Sequence, residues 1–285
     1  MTDRAIEAIT PVPGVPGAEV REVGWLPERL EGAVRVGGFS VARRGALLQS
    51  VPRVGRFLVT DGHLIEFVRE EGADPLEIEQ FLGGSARATL VHQRGGLPLH
   101  AACLVPPGQD FAVAIAGPSG VGKSTLAAEL VRQGWSLLGD DVTPLYGGSG
   151  PVMAWPSKGV LKLWRDACER LEIEAGGLQP LPGERDKFLL SVDTPIEAFR
   201  LGYIFLLEQG RIEGTTSIEG PARLAALRTN TYKPNYLAGL ECVESHFRVS
   251  CQISAEVKIA VLQRGRGVSK GTDLFSSLSV DFIHR

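Results

Sequence analysis

Gly117-Pro118-Ser119-Gly120-Val121-Gly122-Lys123-Ser124 fits the pattern G-x-x-x-x-G-K-[ST], a spacing that lets backbone amides wrap around phosphate oxygens. Its glycines allow the turns that aim N–H groups inward, and the start of the helix that should follow adds a positive field. Lys123 would then reach the β- and γ-phosphates of ATP, and the Ser124 hydroxyl would ligate Mg²⁺. Gly117, Ser119, Gly120, Val121, Gly122 and Thr125 complete the expected nucleotide-binding set. The loop by itself does not separate a kinase from an ATPase or a GTPase.

A second feature lies one helix later, where the apolar run Trp135-Ser136-Leu137-Leu138-Gly139 ends in Asp140-Asp141. Phosphoryl transfer to a hydroxyl needs one carboxylate to hold Mg²⁺ and can use another to accept the proton. Asp141 is assigned to the metal with Ser124, and Asp140 to the base. The transferred group also needs cations on its equatorial oxygens, for which Lys162, Arg185 and Lys187 are the candidates. Trp155, Trp164 and Tyr232 sit among aliphatic residues and read as core.

These residues need a scaffold. FAVAIA (111–116) predicts a buried strand before the loop, and a helix from Lys123 to Arg132 follows it. The acid-bearing strand should return beside the phosphate-loop strand in a parallel sheet. His100 opens LHAACLV, and the short PPGQD connection predicts a strand antiparallel to FAVAIA with the histidine at the phosphate-loop end. Residues 161–171 predict a helix with one apolar face, and GLQPLPGERDK a Pro/Gly-rich connection able to cover a site. Up to about residue 85 the chain has short apolar runs broken by Gly, Arg and Asp. A helix opened by Asp74-Pro75 should stop at Gly83-Gly84, giving a strand-rich module at 1–84 and a catalytic domain at 85–285.

Composition bounds the partners. The chain has 285 residues, 44% of them hydrophobic, enough for a real core. Thirty basic and 33 acidic residues leave a formal charge of −3, which gives no pull toward nucleic acid or an anionic membrane. Without an apolar leader or a long apolar span, a cytoplasmic location is expected. Cys103, Cys168, Cys242 and Cys251 are widely spaced and read as reduced thiols.

His100, the loop GPSGVGKST and the acid pair in WSLLGDDVTPLY together resemble the catalytic domain of HPr kinase/phosphorylase, over roughly residues 98–146. The resemblance implies an α/β fold with a P-loop core similar to phosphoenolpyruvate carboxykinase. It also implies ATP and Mg²⁺ as cofactors, Asp140 as proton acceptor, Asp141 as metal ligand and a catalytic role for His100. Thr125 stands where many of that family carry an acidic residue. WPSKGVLKLW, ERDKF and LRTNTYKPNYL resemble the divergent members, including kinases that phosphorylate a serine of a lasso-peptide precursor. The expected activity is therefore transfer of the ATP γ-phosphoryl group to a serine of a peptide or small protein. Kinase action on a free serine-type small molecule, or a nucleotide-gated regulator, are the alternatives. A homo-oligomer is a further expectation from that family.

Overall fold

The computed structural model describes residues 10–210 and 214–265. Seven strands come first: β1 (Thr10–Pro11), β2 (Glu19–Glu22), β3 (Val34–Arg35), β4 (Ser40–Arg43), β5 (Ala46–Val51), β6 (Gly55–Thr60) and β7 (Leu64–Arg69). They form one sheet in the order β1-β2-β7-β6-β5-β4-β3. Alternation explains the register: in β6, Phe57 and Val59 are buried while Arg56, Leu58 and Thr60 are half-exposed. Asp61 and Gly62, both at positive φ, turn β6 into β7.

Asp74 caps the next helix by accepting from the Leu76 amide, with Pro75 at its first position. This helix, α1 (Pro75–Phe81), does not stop at the glycine pair as its sequence suggests. It passes through one π-helical turn, Leu82–Ala86, directly into α2 (Arg87–Gln93). The glycines serve close approach: a Cβ on Gly84 would lie 3.1 Å from the Tyr232 hydroxyl. The buried Ser85 hydroxyl donates to Gln49 of β5 at 2.6 Å, tying the π turn to the first sheet.

β8 (Leu97–Leu99), β9 (Ala101–Val105), β10 (Phe111–Ala116), α3 (Lys123–Arg132), β11 (Ser136–Gly139), β12 (Thr143–Tyr146) and β13 (Met153–Ala154) follow. After them come β14 (Val160–Trp164), α4 (Arg165–Arg170), β15 (Gln179–Pro180) and β16 (Lys187–Ser191). The described chain closes with β17 (Phe199–Gly210), β18 (Gly214–Ser217), α5 (Pro221–Thr229), α6 (Tyr236–Gly239), α7 (Val243–Glu256) and β19 (Lys258–Gly265). The second sheet runs β11-β9-β10-β17-β13-β12-β8, with β19 also on β17 and β18 on β19. β10, β17 and β19 are parallel, and β9 is antiparallel to β10 as expected. β11 corrects the sequence reading, because it pairs with β9 and not with β10. Being antiparallel to β9, it still runs in the same direction as β10.

This sheet is covered on both faces. Val113 and Ile115 of β10 pack in one cluster with Leu126 and Leu130 of α3, while Ala112, Ala114 and Ala116 share the other with Val249 and Ile253 of α7. Small alanines let α7 lie close, and bulkier residues fill the side under α3.

A second correction concerns residues 161–171, of which only α4 is helical. Val160–Trp164 is a strand because its residues alternate: Leu161 and Leu163 are buried while Lys162 and Trp164 face out. β14, β16 and β15 make a small third sheet on the α3 side. The GLQPLPGERDK segment contributes β15 and the turn into β16. β12 and β13 pair antiparallel around Gly147–Gly150, as a hairpin. Among the described residues no helix is long and apolar enough to cross a membrane.

Val36, Ala42 and Leu47 of the first sheet share a core with Tyr236, Leu237 and Leu240, and Ser40 hydrogen-bonds the Tyr236 hydroxyl at 3.0 Å. Leu237→Ala should therefore cost about 2–5 kcal/mol, within one cooperative unfolding transition. Denaturant titration checks this, and two separated transitions would show that the first sheet unfolds independently.

Candidate active site

The phosphate-loop sequence occupies the turn between β10 and α3. Gly117 has φ +139°, and a Cβ there would meet the Leu207 carbonyl oxygen of β17 at 2.8 Å, so both conformation and space require glycine. Gly120 and Gly122 also have positive φ, and a Cβ on either would meet nothing within 4 Å. The loop is thus anchored at its base and open at its rim. Lys123 curls back, donating to the carbonyl oxygens of Gly117 at 2.8 Å and Pro118 at 3.1 Å. Burial lowers its pKa, against the raising effect of Asp140 and Asp141.

A cavity of about 1200 Å³ opens over this loop. Ser119, Gly120, Val121, Gly122, Lys123, Ser124 and Thr125 line it, together with His100, Asp140, Asp141, Lys162 and Lys187. Gly117 lies behind the loop, and Arg185 is exposed and off the cavity wall. Most of the residues chosen from the sequence thus converge on one cavity, although they come from β9's approach, the loop, the end of β11 and the paired strands β14 and β16.

The Ser124 hydroxyl donates to Asp140 Oδ2 at 2.7 Å. Asp141 meets different partners: Lys162 Nζ donates to its Oδ2 at 2.8 Å, and His100 Nε2 lies 3.5 Å from its Oδ1. Successive residues of an extended strand face opposite sides, yet here both carboxylates turn to the same cavity. The reason is the left-handed backbone of Asp141, with φ +73°. Lys162 touches both acids, since its backbone amide also points at Asp140 Oδ2, at 3.4 Å.

The environments separate the two titrations. Burial raises the pKa of Asp140; the Ser124 hydrogen bond opposes this and the charge of Asp141 adds to it. Burial also pushes Asp141 upward, but Lys162, His100 and Lys187 outweigh it and leave its pKa below the usual carboxylate value. Burial and the Lys123 charge lower the pKa of His100, so its imidazole is neutral at pH 7. The contact with Asp141 is consequently not an ion pair there.

Ser124 and a neighbouring carboxylate make a donor set suited to Mg²⁺, a hard cation usually held by one or two carboxylates plus phosphate oxygens and water. Among the described residues no group of three or more His, Cys, Asp and Glu forms a cage for a metal without such help. The open rim of the loop and the uncapped Gly120 and Gly122 fit a bound phosphate chain.

Two aromatic residues read as core belong near this site. Trp164 is 42% exposed on the cavity wall, with Lys187 Nζ 5.0 Å from its ring centroid. The β14–β16 pairing places Trp164 opposite Lys187, a cross-strand relation not visible in the spacing of the two residues. Tyr232 meets the His100 ring edge-on at 5.7 Å, brought there by its backbone amide bonding to the Pro98 carbonyl oxygen.

No protein-family model matches the chain, and no curated protein matches it. Among solved structures, the Hpr(Ser) kinase/phosphatase from Coxiella burnetii is similar at 13% identity, with a TM-score of 0.33, over 65% of this chain and 94% of that one. A likeness this low says nothing of chemistry, which has to be read from the site's own residues.

The opposite pKa shifts have opposite effects on stability. Ionising Asp140 costs the folded state more than the unfolded chain, a penalty absent below about pH 4 and complete above its raised pKa. Asp141 stabilises the fold above about pH 4, and that contribution is lost as pH falls through its depressed pKa. At pH 7 without nucleotide, Asp140→Asn should raise Tm and Asp141→Asn should lower it, and both differences should shrink at acid pH. Thermal unfolding of the two variants at several pH values checks the signs.

Proposed function

We propose that this chain is an ATP-dependent kinase that transfers the γ-phosphoryl group to a hydroxyl, most simply a serine of a peptide or small protein such as a lasso-peptide precursor. The observation that carries this reading is the convergence of a phosphate-loop sequence, two carboxylates, a histidine and two lysines on one cavity. Bound Mg-ATP supplies the phosphoryl group and a divalent charge to offset its oxygens. The amides of the loop and Lys123 hold the phosphates. Lys162 and Lys187 lie on the cavity wall, where they can stabilise charge on the transferred group.

In the transfer, the acceptor oxygen forms a bond to the γ-phosphorus while the bond to the β–γ bridging oxygen breaks. The hydroxyl proton passes to a carboxylate of the chain. The Ser124–Asp140 hydrogen bond favours Asp140 as the acid on the metal side. Asp141, placed between His100 and Lys162, is then next to the acceptor and takes the proton, with neutral His100 beside it. A second assignment, with Asp140 as base and Asp141 on the metal, is favoured by the raised pKa of Asp140. Hydrogen-bond geometry is the better guide, because a bound cation reverses the effect of burial on whichever carboxylate it meets.

Lys123→Ala should abolish Mg-ATP binding in calorimetry. In turnover assays followed by mass spectrometry of a serine peptide, Asp141→Asn should keep Mg-ATP affinity and lose about 10²- to 10⁴-fold in rate. Asp140→Asn should instead raise the Mg²⁺ concentration needed. The reverse pattern would establish the second assignment, and ATP binding without any phosphorylated acceptor would favour a nucleotide-gated regulator.

A further inference from the structure

Arg87 is a buried charge that the phosphate-loop site does not use. It opens α2 directly after the π turn and is only 5% exposed. Its Nε is buried without a hydrogen-bond partner, and no hydrogen bond or ion pair of the guanidinium is found among the described residues. A buried arginine costs much unless it is paired, so an unpaired one next to an active site calls for an anion.

Its surroundings point to the acceptor side of the cavity. Burial pushes its pKa down to about 10, and Asp141 is the leading charge that opposes this, followed by Tyr232 and Tyr146. Tyr232 is the same residue whose ring meets His100. The glycine pair makes room for both polar groups: a Cβ on Gly83 would fall 2.8 Å from Arg87 Nη2, and one on Gly84 3.1 Å from the Tyr232 hydroxyl. Neither Arg87 nor Tyr232 is on the wall of the main cavity, and Tyr232 touches that wall through its edge-on contact with His100.

We propose that Arg87, with the Tyr232 hydroxyl, forms an anion-binding subsite for the acceptor, which therefore carries a carboxylate close to the hydroxyl that reacts. This rests on the kinase reading for the identity of the acceptor, but the subsite itself binds without ATP or turnover. The two groups approach adjacent glycines, and a carboxylate can accept from both a planar guanidinium and a phenol. The carboxylate can belong to a free hydroxy amino acid or to the C-terminus of a peptide.

The test compares L-serine and N-acetyl-L-serine with their uncharged amides by calorimetry, on the full chain without nucleotide. N-acetyl-L-serine stands for a peptide C-terminus and L-serine for the free amino acid, so the stronger of the two names the source. The acid should bind about tenfold or more tightly than its amide, the loss expected for a charge-assisted hydrogen bond. Arg87→Gln should erase that preference and leave Tm unchanged or higher, because it removes an unpaired buried charge. Lys123→Ala should keep the preference, which separates this subsite from the phosphate loop.

Equal binding of acid and amide by the wild-type chain overturns the proposal, as does a preference that survives Arg87→Gln or vanishes in Lys123→Ala. If Arg87→Gln does not fold, Arg87→Lys keeps the charge without the fork and should bind the acid more weakly than wild type; undiminished binding overturns the proposal. Carboxylate preference without phosphoryl transfer would sink the kinase reading and keep the subsite, and transfer at equal rates to acid and amide would do the reverse.

Discussion

Two carboxylates on adjacent residues share one wall of the cavity, and burial makes both costly to ionise. The charge of Asp141 adds to the cost at Asp140, and a buried carboxylate pair of this kind persists only with compensation. Lys162 provides it from β14, through its ammonium to Asp141 and its amide toward Asp140. The compensation is unequal, which leaves one acid with a raised and the other with a lowered pKa. Two identical side chains are thereby made chemically different, a separation that the proposed metal-side and acceptor-side roles would use.

The central part of this arrangement is legible in the sequence because local rules dictate it. Strand, glycine-rich turn and helix follow in the order the sequence suggests, and the short connection before β10 puts His100 level with the turn. What stays hidden depends on pairing between distant segments. The insertion of β9 between β10 and β11 is a sheet-level choice with no signature inside β11. The apolar residues of 161–171 satisfy a helical stripe as well as an alternating strand, and burial of Leu161 and Leu163 under α3 decides for the strand. Arg185 is close to Lys187 in sequence, yet it lies in the exposed turn before β16.

The glycine pair at 83 and 84 illustrates a different limit. Gly-Gly after a short amphipathic stretch ordinarily signals an end. Here a tyrosine from residue 232 crowds the helix, and glycine is the residue that admits it. The same turn is bonded through Ser85 to the first sheet. Residues 10–69 thus reach the vicinity of His100 through one helix and two small contacts.

The paired strands β14 and β16 carry one more consequence. Lys162 and Lys187 point into the cavity from strands whose alternate residues, Leu161, Leu163 and Phe188, are embedded in the core beneath α3. Positive charge held this way is not a flap that swings over an incoming nucleotide. Its orientation is set when the chain folds, so in the proposed transfer little reorganisation energy would be left to spend as charge builds.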